Sequence, residues 1–176
     1  DQRQYALIAL RPTLPRWSED RSQDHILVVD SSQSMTGERF GRAIRTATAF
    51  VQDLDRRDRF ALMLCDLRCE TFGTGFERPS LDTLQELKRW LEDKEAGGAS
   101  FMENSLQQAA ALAKLSSAER HPGVFYIGDG VASMGHRRLS FLRDTATSLR
   151  TERGLSVHTV GISADSDSRV LAELAR

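Results

Sequence analysis

Lysine is scarce in this chain. Of 24 basic residues only Lys88, Lys94 and Lys114 are lysines, and arginine supplies the rest. Against 25 acidic residues the net charge is −1, so nothing drives the chain electrostatically toward nucleic acid or an anionic membrane surface. No apolar run approaches the ~20 residues that cross a bilayer, so membrane insertion by this segment is not expected. Two cysteines, Cys65 and Cys69, and four scattered histidines lack the spacing of a zinc site. Four positions apart around a tight turn, the cysteines could meet as a disulfide, but the default reading is a buried thiol at Cys65. Neither Gly-x-Gly-x-x-Gly nor Gly-x4-Gly-Lys-Ser/Thr occurs, which argues against nucleotide binding. A Gly-x-Ser-x-Gly nucleophile elbow is absent as well. No initiator Met or signal-peptide pattern precedes Asp1, from which a piece of a larger protein is expected.

What is present is alternation of strand and helix in 176 residues, 40% of them hydrophobic, enough for one domain with a sheet buried on both faces. Apolar strands are expected at Tyr5–Leu10, Ile26–Val29, Phe60–Leu64, Val124–Ile127 and Val157–Val160. Cys69–Phe72 is expected to turn back antiparallel to Phe60–Leu64, stopped by Gly73 and Gly75. Phe40, Ala43, Ile44, Ala47, Phe50, Val51 and Leu54 recur at helical spacing and predict a helix over 39–54. Further helices follow from Leu81, Leu84, Leu87 and Leu91, from Leu106 to Ala113 and Leu115, from Leu139 to Leu149, and from Ser166 onward. Wholly apolar strands between helices predict an α/β fold with three layers, doubly wound. Its sheet is mostly parallel, with one short antiparallel edge strand and helices on both faces. Residues 1–24 read as a leading strand and loop of a single domain spanning 1–176.

The most informative segment is Asp30-Ser31-Ser32-Gln33-Ser34, placed where an apolar strand ends. A carboxylate and two hydroxyls at alternate positions are hard oxygen donors that suit Mg²⁺ or Mn²⁺. Loops at the carboxyl ends of parallel strands are where open α/β sheets place their sites. The Gly97–Ser100 and Gly128–Gly130 loops would converge on the same edge.

Asp30-x-Ser32-x-Ser34 resembles the first motif of the von Willebrand factor type A family. The resemblance extends over about residues 5–176. In that family a threonine from a Gly-rich loop and an aspartate after a later strand complete a metal-ion-dependent adhesion site. Counting back six residues from Leu106 places Ser100 at the threonine position; the rival register places Ala99 there. Asp129, in Ile127-Gly128-Asp129-Gly130, matches the later aspartate. The closest likeness is to the inter-alpha-trypsin inhibitor heavy chain group, through Tyr5–Leu10, Asp58-Arg59-Phe60 and Gly130–Gly135. That group favours an extracellular, cell-surface or periplasmic setting.

The resemblance implies that Ser32, Ser34 and Ser100 touch a divalent ion (Mg²⁺, or Mn²⁺ or Ca²⁺), while Asp30 and Asp129 hold it through water. An ion with few direct carboxylates can take an Asp or Glu oxygen of a partner protein as its last ligand. The family pattern is altered at three positions: Gln33 stands for a common Gly, Ser100 for Thr, and Gly128 for a Thr whose hydroxyl is thereby lost. Other domains of the parent protein are also expected partners. A strand-end aspartate nucleophile would want a second carboxylate at position 32, so no enzyme is expected. The alternatives are a metal-free assembly module and an accessory domain of an ATPase complex. The Arg56-Arg57-x-Arg59 group and Arg137-Arg138 read as solvated faces. Met35 and Met134 are candidates equally for an apolar rim and for core packing. Ser34 and Thr36 are rival caps for the first helix.

Overall fold

The computed structural model describes residues 22–135 and 138–176, and of 152 and 153 the backbone alone. The expected strand Tyr5–Leu10, Trp17 and Arg137 lie outside the described residues. Among the described residues five strands are present: β1 (Gln23–Asp30), β2 (Arg59–Cys65), β3 (Cys69–Thr71), β4 (His121–Gly128) and β5 (Ser156–Gly161). They lie in the order β3-β2-β1-β4-β5, with every pair parallel except β2–β3. The helices are α1 (Glu38–Gln52), α2 (Leu81–Glu92), α3 (Met102–Ala113), α4 (Leu139–Arg153) and α5 (Ser168–Leu174).

The central strand is apolar without alternation because both its faces are covered. Ile26 and Val28 join a core with α3, α4 and α5. Leu27 and Val29 join a second core with α1 and α2. All four are fully buried. The three layers expected from the sequence are therefore the layers found.

β1 begins three residues earlier than its apolar run, so Gln23 and Asp24 belong to the sheet and not to the leading loop. Asp24 is fully buried and accepts two hydrogen bonds from Arg59, at 2.9 and 2.6 Å, and one from Arg120 Nε at 2.6 Å. Arg120 also donates to the Gln23 and Arg57 carbonyls. Arg59 is thus a partner of a buried carboxylate rather than part of a solvated basic group. His25 is enclosed by the rings of Phe50 and Phe125, and its Nε2 lies 3.4 Å from Asp58.

Helix ends follow local chemistry. Ser80 caps α2 by accepting the Thr83 N–H at 3.1 Å. Ser80→Ala is expected to cost about 1 kcal/mol in a urea melt. Neither Ser34 nor Thr36 caps α1: Gly37 takes that place at φ 74°, and the Thr36 hydroxyl donates to the Gln33 carbonyl. α3 ends at Ala113, so Leu115 falls beyond it and is exposed. Trp90 packs on Phe72, with the Lys94 ammonium over its ring.

Cys65 and Cys69 form a disulfide across the β2–β3 turn, which corrects the default reading of a buried thiol. The two residues are directly paired in the antiparallel register, with their Cα atoms 4.2 Å apart. That pairing is set by the turn, and spacing along the chain cannot distinguish it from a thiol pair.

Candidate functional site

β1 is flanked by β2 on one side and β4 on the other, so the chain winds away from it in both directions. Such a reversal opens a crevice at the carboxyl ends of the strands. Asp30 closes β1 and Asp129 directly follows β4, which puts both carboxylates at that crevice. The Gly-rich loop reaches it through backbone hydrogen bonds. Gly97 N–H donates to Ser31 O at 2.7 Å, and Gln33 N–H donates to Gly98 O at 2.9 Å. Gly98 must be glycine: its φ is 74°, and a Cβ there would lie 2.5 Å from Asp66 Oδ2.

The loop after Asp129 is tied in as well. Ser133 Oγ accepts the Ser100 N–H at 2.8 Å, while the Ser133 and Met134 N–H groups donate to Ser100 O. Ser133 therefore positions Ser100, a role that the sequence reading did not assign to it. The β2–β3 turn completes the support, with Cys65 O accepting from Ser31 N–H and Asp66 O from Phe101 N–H.

Asp30 is 2% exposed and its carboxylate is fully engaged. Oδ1 accepts the Ser32 N–H at 2.9 Å, and Oδ2 accepts the Ser100 hydroxyl at 3.3 Å and the Tyr126 hydroxyl at 2.6 Å. Burial raises the Asp30 pKa above the ordinary carboxylate value; hydrogen bonds from Ser32 and Tyr126 oppose the rise, and the Asp129 charge adds to it. Burial, followed by the charge of Asp30, keeps the Tyr126 phenol protonated well above its usual range. The phenol is accordingly a donor at any physiological pH.

Ser32 and Ser34 bring their hydroxyls to 3.2 Å of each other. Ser32 is buried and Ser34 half-buried, while Gln33 between them faces solvent at the rim. Asp129 is 1% exposed; its Oδ1 accepts the Val131 N–H at 2.9 Å, and its Oδ2 is buried without a hydrogen-bond partner among the described residues. Of the two methionines, Met35 is wholly buried in the core, whereas Met134 is exposed beside the site.

All five residues singled out in the sequence thus lie at this one edge, Asp30 as the last residue of β1 and the others on the loops around it. Ser100, not Ala99, turns its hydroxyl to Asp30. Because the Ser100 proton is committed to that carboxylate, its oxygen lone pairs are free to face a cation. Among the described residues no three His, Cys, Asp or Glu side chains form a metal-holding group. The donor set at this edge is of another kind, two carboxylates and three hydroxyls. Such donors suit a hard divalent ion. The orphaned Asp129 Oδ2 is the atom that most needs a positive partner. These residues fit a metal of the Mg²⁺ class. Beside Gly128, the hydroxyl of Tyr126, two residues earlier on the same strand, donates to Asp30.

A family model described as von Willebrand factor type A domain matches residues 23–176. Among solved structures, a von Willebrand factor type A protein from Catenulispora acidiphila superposes with a TM-score of 0.72 at 16% identity, over 88% of this chain and 36% of that one. The pilus adhesin SpaC from Lactobacillus rhamnosus GG, in an open conformation, gives 0.71 at 13% identity, over 90% of this chain and 27% of that one. The manganese-loaded TRAP protein of Plasmodium vivax gives 0.68 at 15% identity, over 88% and 63%. This chain spans only about a third of the first of these proteins and about a quarter of the second. At such identities the likeness establishes the fold.

Proposed function

Because this chain belongs to the von Willebrand factor type A family, whose domains are generally protein-interaction and adhesion modules, we propose that it binds a partner protein through a divalent metal ion at the Asp30 edge. The observation that carries the reading is the buried Asp129 Oδ2, without a hydrogen-bond partner among the described residues, at the same sheet edge as three hydroxyls and the Asp30 carboxylate. Ser32, Ser34 and Ser100 would offer the ion neutral oxygens, with Asp30 and Asp129 supplying negative charge. The bound ion, Mg²⁺ or else Mn²⁺ or Ca²⁺, would provide a Lewis-acidic position for an Asp or Glu carboxylate of the partner. The manganese carried by the Plasmodium vivax protein supports a divalent ion in this fold. No catalytic role is assigned.

In the same reading, residues 1–176 form one type A domain within a larger protein of the inter-alpha-trypsin inhibitor heavy chain type, whose other domains are additional partners.

The test is titration of chelated protein with Mg²⁺ and Mn²⁺, followed by thermal shift and calorimetry. A saturable single-site rise in melting temperature is expected, and none for Asp30→Ala. A wild-type protein that ignores both ions would instead be a metal-free assembly module.

A further inference from the structure

Tyr126 is one of two tyrosines in the chain, and its hydroxyl is the one polar side-chain group delivered to the Asp30 site from inside the sheet. Val124, Tyr126 and Gly128 share one face of β4 because strand side chains alternate. On the neighbouring β1, Val28 is paired with Tyr126 and Val29 with Ile127, so Gly128 comes level with Asp30. The Tyr126 ring runs along the strand over Gly128. A Cβ at Gly128 would lie 3.0 Å from the Tyr126 hydroxyl and ring, and 2.7 Å from Asp30 Cβ. Any side chain at 128 would therefore compete with the phenol for the same space. The bare glycine is what lets the phenol reach 2.6 Å from Asp30 Oδ2.

A phenol that served packing alone would not be expected to end on a buried carboxylate. The residue is 1% exposed, and its hydroxyl donates to the same Asp30 oxygen as the Ser100 hydroxyl does. Charge-assisted O–H···O⁻ bonds are short and strongly directional. With Ser32 N–H on Oδ1 and two hydroxyls on Oδ2, Asp30 is held in one rotamer and Ser100 is tied to it.

Resting on the metal-binding reading above, we infer that Tyr126 is a positioning residue of the metal site, and that Gly128 is its necessary complement. The phenol fixes Asp30 and Ser100 for the ion without touching it. Partners one bond removed from a metal characteristically change affinity 10–100-fold when they are lost.

Tyr126→Phe is expected to fold and to weaken Mg²⁺ binding about tenfold or more by calorimetry. Gly128→Ala and Gly128→Ser should also weaken binding, because their Cβ would meet Asp30 Cβ at 2.7 Å and the Tyr126 ring and hydroxyl at 3.0 Å. In protein labelled with 3-fluorotyrosine, the Tyr126 ¹⁹F resonance, assigned with Tyr5→Phe, should shift on Mg²⁺ saturation. That readout decides the matter should the Gly128 variants fail to fold. Wild-type affinity in Tyr126→Phe, or a Tyr126 resonance indifferent to a bound ion, overturns the positioning role and leaves the metal site standing. A wild-type protein that binds no Mg²⁺ overturns both.

Discussion

Asp24→Ala is expected to lower folding stability by about 3 kcal/mol, the largest loss anticipated for a single side chain outside the apolar core. Asp24 is fully buried at the amino edge of β1, and two guanidinium groups converge on it. Removing the carboxylate leaves Arg59 and Arg120 facing each other with no anion between them. The side chains of Arg59 and Arg120 are 27% and 16% exposed, so water can relieve only part of the cost. The same cluster fixes a pH dependence. Burial works to raise the Asp24 pKa, but hydrogen bonds from Arg59, Ser116 and Arg120, with the Arg59 charge, together hold it below its ordinary 3.8. A carboxylate with a depressed folded-state pKa contributes stability that is fully present above its unfolded value and is lost as pH falls through the folded one. Wild type should therefore lose stability steeply below about pH 4, and Asp24→Ala should lack that part of the acid limb. Urea melts at neutral pH and at acid pH measure both effects. A loss below about 1 kcal/mol at neutral pH would mean that the two arginines simply swing into water.

Asp24 also explains where sequence reading of this fold succeeds and where it stops. The strands and helices were legible because Ile26–Val29, Phe60–Leu64 and the Phe40–Val51 stripe carry their burial in their own periodicity. Asp24 read as loop because its partners lie 35 and 96 residues away, and no local pattern announces a carboxylate neutralised from such distances. The disulfide escaped for a similar reason: the register of β3 on β2 makes Cys65 and Cys69 a direct pair, and register is a property of the turn. At the site, the helix phase counted from Leu106 pointed to Ser100, whose hydroxyl the fold brings to Asp30. Tyr126 was hidden by its surroundings. Within Val124-Phe125-Tyr126-Ile127 it looks like one more strand residue, and only the three-dimensional proximity of Gly128 and Asp30 reveals its hydroxyl as part of the site.

Asp129→Asn should reverse the ranking of wild type and variant according to whether a divalent ion is present. In chelator, the variant is expected to be the more stable by about 1 kcal/mol. Asp129 Oδ2 is buried and unpartnered among the described residues, and its charge disfavours the ionised form of Asp30 across the crevice. An amide removes that charge. It keeps an oxygen for the Val131 N–H. The mirror change, Asp30→Asn, would not help, because donors from Ser32, Ser100 and Tyr126 face both carboxylate oxygens, and the amide nitrogen would meet a donor on whichever side it took. In Mg²⁺ the order should invert. An ion at roughly 100 times its Kd stabilises the folded state by about 2.7 kcal/mol, and a variant with one carboxylate fewer should recover little of this. For a domain of this size each kcal/mol moves the melting temperature by about 2–4 °C, so the crossing is large enough to see in paired melts with EDTA and with Mg²⁺. Asp129→Asn melting below wild type in EDTA would mean that the aspartate is held by neighbours and stores no charge for a cation. Under the proposed reading, the paired carboxylates of this edge cost the metal-free fold stability, and a bound ion would restore it.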